Sequence, residues 1–154
     1  MDAETIQNQL EALLSGETDP VANLANAAAL LWERLPDINW VGFYLLKGGE
    51  LVLGPFQGRP ACTRIAPARG VCGACVTQNR AVRVEDVRAF PGHIACDARS
   101  KAELVLPLRG ADGRPFGVLD IDSETVGRFT AEDEREMERA AAVVAAMLGK
   151  AKEA

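Results

Sequence analysis

The stretch ELVLPLRGADGRPFGVLDID, residues Glu103 to Asp122, reads as two strands joined across Asp112-Gly113. An Asp-Gly pair flanked by alternating apolar residues is a strong local hairpin signal. A two-residue turn there makes paired positions sum to 225, so Glu103 falls opposite Asp122 and Val105 opposite Asp120. Strand alternation then sets Glu103, Asp120 and Asp122 on one face and Leu104, Leu106, Leu119 and Ile121 on the other. Like charges opposed on a sheet are destabilising. Such a patch is either a solvated acidic face or a pocket for a cation, with one carboxyl held protonated by its neighbours and able to act as a general acid. Bound Ca²⁺ or Mg²⁺ is a weaker alternative, because the acidic-loop pattern of a dedicated calcium site is absent.

Outward from this hairpin, NWVGFYLL (Asn39 to Leu46) is rich in aromatic and β-branched residues and turns at Gly48-Gly49 into Leu51-Val52-Leu53. Trp40 and Tyr44, four apart in a strand, share a face. Weaker strands fall at Thr63–Ile65 and Val82–Val84, with a short helix over Val71–Asn79. Helical periodicity dominates both ends. Ile6, Leu10 and Leu14 follow a candidate cap at Asp2, and Val21, Leu24, Ala28, Leu31 and Leu35 follow Asp19-Pro20 up to Pro36. Thr130 and Asp133 open a final helix with Met137, Ala141, Val144 and Leu148 on its apolar face. The pattern predicts an α+β fold, a central antiparallel sheet flanked by N- and C-terminal helices. Residues 1–154 form one domain, with helices over 1–36, sheet and site loops over 37–123 and the last helix over 130–152. Two aperiodic segments remain, Gly54–Gly70 and Glu85–Lys101; loops of that length in a compact domain tend to be functional.

The chain has 154 residues, 48% of them hydrophobic, and a net charge of −5. That suits one domain with a substantial core and speaks against nucleic acid as a partner, since no basic cluster stands against the acidic field. No run approaches the length of a membrane span, and MDAETIQNQL lacks the features of a signal peptide. A cytoplasmic location is expected. All four cysteines lie between Cys62 and Cys96. In a reducing compartment they serve as apolar filler, metal ligands or redox groups. Cys72 and Cys75 form a C-x-x-C. Zinc held by Cys62, Cys72, Cys75 and Cys96, or with His93 in place of one of them, is one reading, weakened by the missing second paired knuckle. A thioredoxin-like pair would need a strand directly before the motif, where Pro, Arg and Gly stand instead.

The segments NWVGFYLL, LVLGPFQGRPAC, GVCGACV, GHIACDARSKAELVLPL and FGVLDIDSETVGRFTAED together resemble the free methionine-(R)-sulfoxide reductases, small enzymes built on a GAF domain. The specific part is the cysteine spacing: Cys62 and Cys72 are 10 apart, Cys72 and Cys96 are 24 apart. The resemblance runs from about Trp40 into the last helix. It implies a sheet of about six strands around a small closed pocket, and a thiol-dependent reduction of free L-methionine-(R)-sulfoxide. It assigns Cys96 as the nucleophile that becomes a sulfenic acid and Cys62 as the cysteine that closes a disulfide with it. Cys72 is the third family cysteine, taking part in resolution or recycling. Trp40, Tyr44, Glu103, Asp120 and Asp122 match substrate-pocket positions, and Cys75 has no counterpart. The resemblance further implies no bound cofactor and no metal, with thioredoxin as external reductant, drawing on NADPH through thioredoxin reductase, and a homodimer. The competing reading is a non-enzymatic GAF module that senses a small ligand or oxidant.

Overall fold

The computed structural model describes residues 5–93 and 96–153. In chain order the elements are α1 (Ile6–Leu14), α2 (Pro20–Arg34), β1 (Trp40–Lys47), β2 (Glu50–Gly58), β3 (Arg64–Ile65), α3 (Gly70–Gln78), β4 (Val82–Val84), β5 (Ala102–Arg109), β6 (Pro115–Ser123) and α4 (Ala131–Glu153). A 3₁₀ turn spans Val87–Ala89. The six strands form one antiparallel sheet in the order β3-β2-β1-β6-β5-β4.

Alternation along the strands splits the core in two. Val41, Phe43, Leu104, Leu106, Leu119 and Ile121 meet Leu10, Leu24, Leu31, Met137 and Val144 of the helices α1, α2 and α4. The opposite face carries Trp40, Tyr44, Val105 and Val118, covered by Val71, Cys72 and Cys75 of α3 and by the connecting segments. This second, smaller cluster contains the site.

Helix ends follow local hydrogen-bonding chemistry. Asp19 caps α2 by accepting from the Ala22 N–H at 2.9 Å, with Pro20 in the first turn. At α4 the box is reciprocal: the Thr130 N–H donates to Asp133 Oδ2 at 2.9 Å and the Asp133 N–H to Thr130 Oγ1 at 3.1 Å. The cap of α1 is Thr5, whose hydroxyl accepts from the Asn8 N–H at 3.1 Å. The predicted cap at Asp2 lies outside the described residues. Val21 is also corrected: it is 66% exposed in the first turn of α2, and Ala27 takes its place on the buried stripe.

The β5–β6 register agrees with the expectation, Glu103 opposite Asp122 and Val105 opposite Asp120, but for a different reason. The turn holds three residues: the Gly110 N–H bonds to the Arg114 carbonyl at 2.9 Å, and the Gly113 N–H to the Gly110 carbonyl at 3.0 Å. Gly113 takes φ 80°, the left-handed residue that this longer turn requires. Arg109 accordingly faces Pro115, a sum of 224, whereas Leu108 faces Gly117, a sum of 225. Phe116 is the extra residue of a bulge that restores the register before the acidic positions are reached. The segment Gly54–Gly58, expected to be loop, continues β2. Its register with β1 shifts between Gly42 and Tyr44, so Gly54 and Pro55 together oppose Phe43. A bulge is where a strand tolerates proline, which has no N–H to donate.

Candidate active site

Trp40, Gly42 and Tyr44 project from one face of β1, with Trp40 opposite Asp122, Gly42 opposite Asp120 and Tyr44 opposite Val118. Across β6, Asp122 also faces Glu103. The central strands therefore bring two aromatic rings and three carboxyls to one patch. Gly42 makes room for the aromatics: a Cβ there would lie 2.3 Å from Phe56 Cβ and 2.8 Å from Trp40 Cη2. The Trp40 ring instead folds over the glycine and stacks between Phe56 (centroids 5.2 Å, 16° between planes) and Tyr44 (6.0 Å, 24°). Sequence reasoning named neither Gly42 nor Phe56. The signal for Gly42 was its place between aromatic neighbours in WVGFY; Phe56, in GPFQG, had none.

A cavity of about 50 Å³ opens above this patch, lined by Trp40, Tyr44, Glu103, Asp120 and Asp122 from the sheet and by Cys72, His93, Cys96 and Asp97 from the covering segments. Every sequence-predicted site residue except Cys62 lines it, and Cys62 is held at its edge by a disulfide to Cys96, with Cα atoms 5.3 Å apart. The long segments left aperiodic by the sequence are joined through this bond. The Tyr44 hydroxyl donates to the Cys62 carbonyl at 2.8 Å, and Trp40 Nε1–H to the Arg59 carbonyl at 3.1 Å. Beyond Cys96, Asn39 Nδ2–H donates to Ser100 Oγ at 3.1 Å, tying that segment to the start of β1.

The carboxyls sit where ionisation is costly. Glu103 is 7% exposed and Asp120 6%. Burial pushes Glu103 well above the ordinary carboxylate range, and the charges of Asp120 and Asp122 push it further. Burial raises Asp120 to about 6, moderated by hydrogen bonds from Glu103 and from the Cys72 thiol. Asp122 is raised by burial and by the charge of Asp120, while its hydrogen bond with Glu103 pulls the other way. These directions make Glu103 the group that keeps its proton and donates it to its neighbours, with Asp120 the first of the three to ionise. Among the described residues, two carboxylate oxygens are buried without a hydrogen-bond partner, Asp120 Oδ1 and Asp97 Oδ2. Asp97 Oδ1, in contrast, accepts from the Arg99 N–H at 2.9 Å.

The thiols divide by position. Cys72, in the first turn of α3, reaches the cavity, and burial together with the Asp120 charge raises its pKa strongly. Cys75 is fully buried in the cluster between α3 and the sheet, and burial pushes it to about 12. That is the packing expected of apolar filler. The alternative of a four-cysteine zinc site is not compatible with this geometry: Cys62 and Cys96 are disulfide-bonded, and of the two free thiols Cys72 borders the cavity whereas Cys75 does not. The first turn of α3 also borders the cavity through Arg69, Gly70, Val71 and Cys72. Among the described residues no side chain caps it, and the first backbone bond is from the Gly73 N–H to the Arg69 carbonyl at 3.0 Å. The N–H groups of Gly70, Val71 and Cys72 are thus the donors a helix N-terminus leaves over. Burial lowers the pKa of His93, favouring the neutral ring.

This architecture is that of a GAF domain, and the GAF family model matches residues 18–148. Over 130 residues the chain is 58% identical to the free methionine-R-sulfoxide reductase of Escherichia coli, covering 84% of this chain and 78% of that one. It is 39% identical over 155 residues to the free methionine-R-sulfoxide reductase of Saccharomyces cerevisiae, covering 94% and 86%. The X-ray structure of free methionine-R-sulfoxide reductase from Neisseria meningitidis, in complex with its substrate, superposes with a TM-score of 0.92 at 44% identity, over 96% of this chain and 89% of that one. The chain belongs to the free methionine-R-sulfoxide reductases. Among the described residues, no helix is long and apolar enough to cross a membrane.

Proposed function

We propose that the protein reduces free L-methionine-(R)-sulfoxide to L-methionine with its own thiols and no bound cofactor. The observation that carries this reading is a Cys62–Cys96 disulfide beside a cavity that offers acids, an aromatic wall and helix N–H donors together. Each feature answers one part of the substrate. The α-ammonium pairs with the carboxylates of Asp120 and Asp122, and the α-carboxylate takes the free N–H groups at the start of α3. The Trp40 ring receives the methyl group. Glu103, holding its proton, delivers it to the sulfoxide oxygen as sulfur is attacked.

Cys96 attacks the sulfoxide sulfur, and the oxygen passes to the enzyme: methionine leaves and Cys96 becomes a sulfenic acid. The substrate sulfur gains two electrons and the Cys96 sulfur loses two. Cys62 then attacks the sulfenic acid, forming the disulfide and releasing water. Cys72 serves as a further thiol in resolution or recycling. Reduction of the disulfide by the dithiol of thioredoxin, itself reduced by NADPH through thioredoxin reductase, closes the cycle.

The test is NADPH oxidation with thioredoxin and its reductase, run on resolved epimers of the free and the peptide-bound sulfoxide. Turnover confined to the free R epimer supports the reading. Absence of that turnover, or equal turnover of a peptide-bound sulfoxide, overturns it.

A further inference from the structure

Cys72, Glu103 and Asp120 bring a thiol sulfur and two carboxylate oxygens within 4.8 Å of one another, and all three residues are buried. They come from α3, β5 and β6, so the packing of that helix on the central hairpin sets their spacing. A second observation points to a ligand. Asp120 is 6% exposed, its Oδ1 has no hydrogen-bond partner, and the residue lines the cavity. A buried carboxylate oxygen left in this state costs free energy that a bound cation would recover.

The donor set identifies the cation. A thiolate and carboxylates are donors that zinc accepts, and three protein ligands with an open side match its ligand count in sites whose fourth position takes water. Mg²⁺ and Ca²⁺ prefer oxygen alone and larger coordination numbers, so the sulfur selects against them. A cavity of about 50 Å³ has room for an ion and its water. We propose that the substrate cavity doubles as an inhibitory Zn²⁺ site, with Cys72 Sγ, Glu103 and Asp120 as its protein ligands. Binding exchanges the protons of the Cys72 thiol and the Glu103 carboxyl for the metal and releases them to water; no group is oxidised or reduced. The inhibition, though not the site, rests on the proposed function, because Glu103 and Asp120 are the groups the sulfoxide would use.

The disulfide form isolates this site. With Cys62 and Cys96 bonded, Cys72 and Cys75 are the free thiols, and Cys75 does not border the cavity. The experiment uses the oxidised full-length protein, freed of metal by a chelator, with Co²⁺ as spectroscopic probe and Zn²⁺ titrated by calorimetry. The expected result is one ion per chain, a near-ultraviolet thiolate-to-cobalt band, and Zn²⁺ displacing Co²⁺. Cys72→Ser abolishes the band, and Asp120→Asn weakens Zn²⁺ binding at least about 10-fold; Cys75→Ser changes neither. Free methionine sulfoxide lowers the apparent Zn²⁺ affinity. Absence of the band from the wild-type protein, its persistence in Cys72→Ser, or its loss in Cys75→Ser overturns the site. Cys72→Ala, with folding checked by circular dichroism, replaces the serine variant if that variant does not fold. Zn²⁺ binding through Cys72 that leaves sulfoxide binding undisturbed overturns the inhibition. A protein that binds no sulfoxide defeats the proposed function instead, and the cobalt band still decides the metal site.

Discussion

The Tyr44 hydroxyl donates a 2.8 Å hydrogen bond to the carbonyl of Cys62, so one wall of the cavity also holds the backbone of a disulfide cysteine. Trp40 does the same three residues earlier in that segment, donating to the Arg59 carbonyl. The groups that would enclose the substrate are thus the anchors of the segment that carries Cys62.

Tyr44→Phe separates these roles, because it keeps the ring and removes one hydrogen bond. The loss is about 1 kcal/mol, so disulfide closure after the first reduction should slow several-fold. Methionine formation in a single round should fall less than closure does. Rapid quenching, with methionine and free thiols counted in the same samples, reads the two steps separately. Equal slowing of both steps would mean that the hydroxyl supports the fold of the pocket and not the closure step in particular.

The carboxylates give a stability prediction. Glu103 and Asp122 face each other and share a hydrogen bond within a buried patch. Converting either to its amide removes a group whose ionisation in this patch is costly while keeping shape. Glu103→Gln or Asp122→Asn should leave stability within about 1 kcal/mol of wild type, or raise it. Activity should fall about 100-fold for the group that delivers the proton. Melting curves beside single-round assays check both. Unfolding, or full activity, would make the acidic patch structural.

The same groups set a pH dependence with a definite sign. Asp120 is raised from 3.8 to about 6, and Glu103 and Asp122 are raised as well. These three groups therefore bind more protons in the folded protein than in the unfolded chain above about pH 4. The stability tied to these groups is complete below that point and is lost as pH rises through 6 and beyond. Other carboxylates pull the opposite way; the ion pair with Arg88 lowers Asp86 to about 2. The informative quantity is hence a difference. The melting-temperature advantage of Glu103→Gln over wild type should widen from about pH 4.5 to pH 7. A constant gap would show that Glu103 does not titrate with the patch.

The acidic patch was legible because a one-residue slip would have moved every side chain of β6 to the other face. Its register survived a wrong turn length only because the bulge at Phe116 cancels the extra residue of the Gly110–Arg114 turn. The helices at both ends were legible from caps and stripes. Val21 was not, because periodicity alone cannot tell an exposed first turn from a buried one. Gly54-Pro55 read as a break since proline cannot donate to a ladder, yet a bulge accommodates it. The orphaned oxygens of Asp97 and Asp120 have no sequence signature at all; they arise from tertiary enclosure.

Gly42 is the position where the site depends on an absent side chain. A Cβ there would come 2.3 Å from Phe56 Cβ, beside the backbone of β2, and 2.8 Å from the Trp40 ring. The first contact cannot be relieved by a flexible chain end, so β1 and β2 must part or the Trp40 ring must leave its stack. Gly42→Ala should cost about 1–3 kcal/mol, the range for overpacking, and should weaken sulfoxide binding. Quenching and shift of the Trp40 fluorescence, compared with a Trp32→Phe background, report the displaced ring. Unchanged fluorescence and affinity would show that the strands absorb the methyl without disturbing the cavity.

The thiol assignment makes the most direct prediction. Cys96 and Cys62 are bonded here, Cys72 stands free in the cavity, and Cys75 is sealed in the core. If Cys96 is the attacking thiol, Cys96→Ser should form no methionine in a single round and give no sulfenic acid signal with a dimedone-type probe. Cys62→Ser should form about one methionine per chain and then stall, its Cys96 exposed to further oxidation. Cys75→Ser, which borders no part of the cavity, should keep its turnover. Cys72 discriminates between mechanisms. Its thiol is pushed upward by burial and by Asp120, which disfavours the thiolate an attacking sulfur needs. Cys72→Ser should therefore retain the first round. Loss of the first round in Cys72→Ser, together with its retention in Cys96→Ser, would exchange the two roles and make the Cys62–Cys96 bond a later step of recycling.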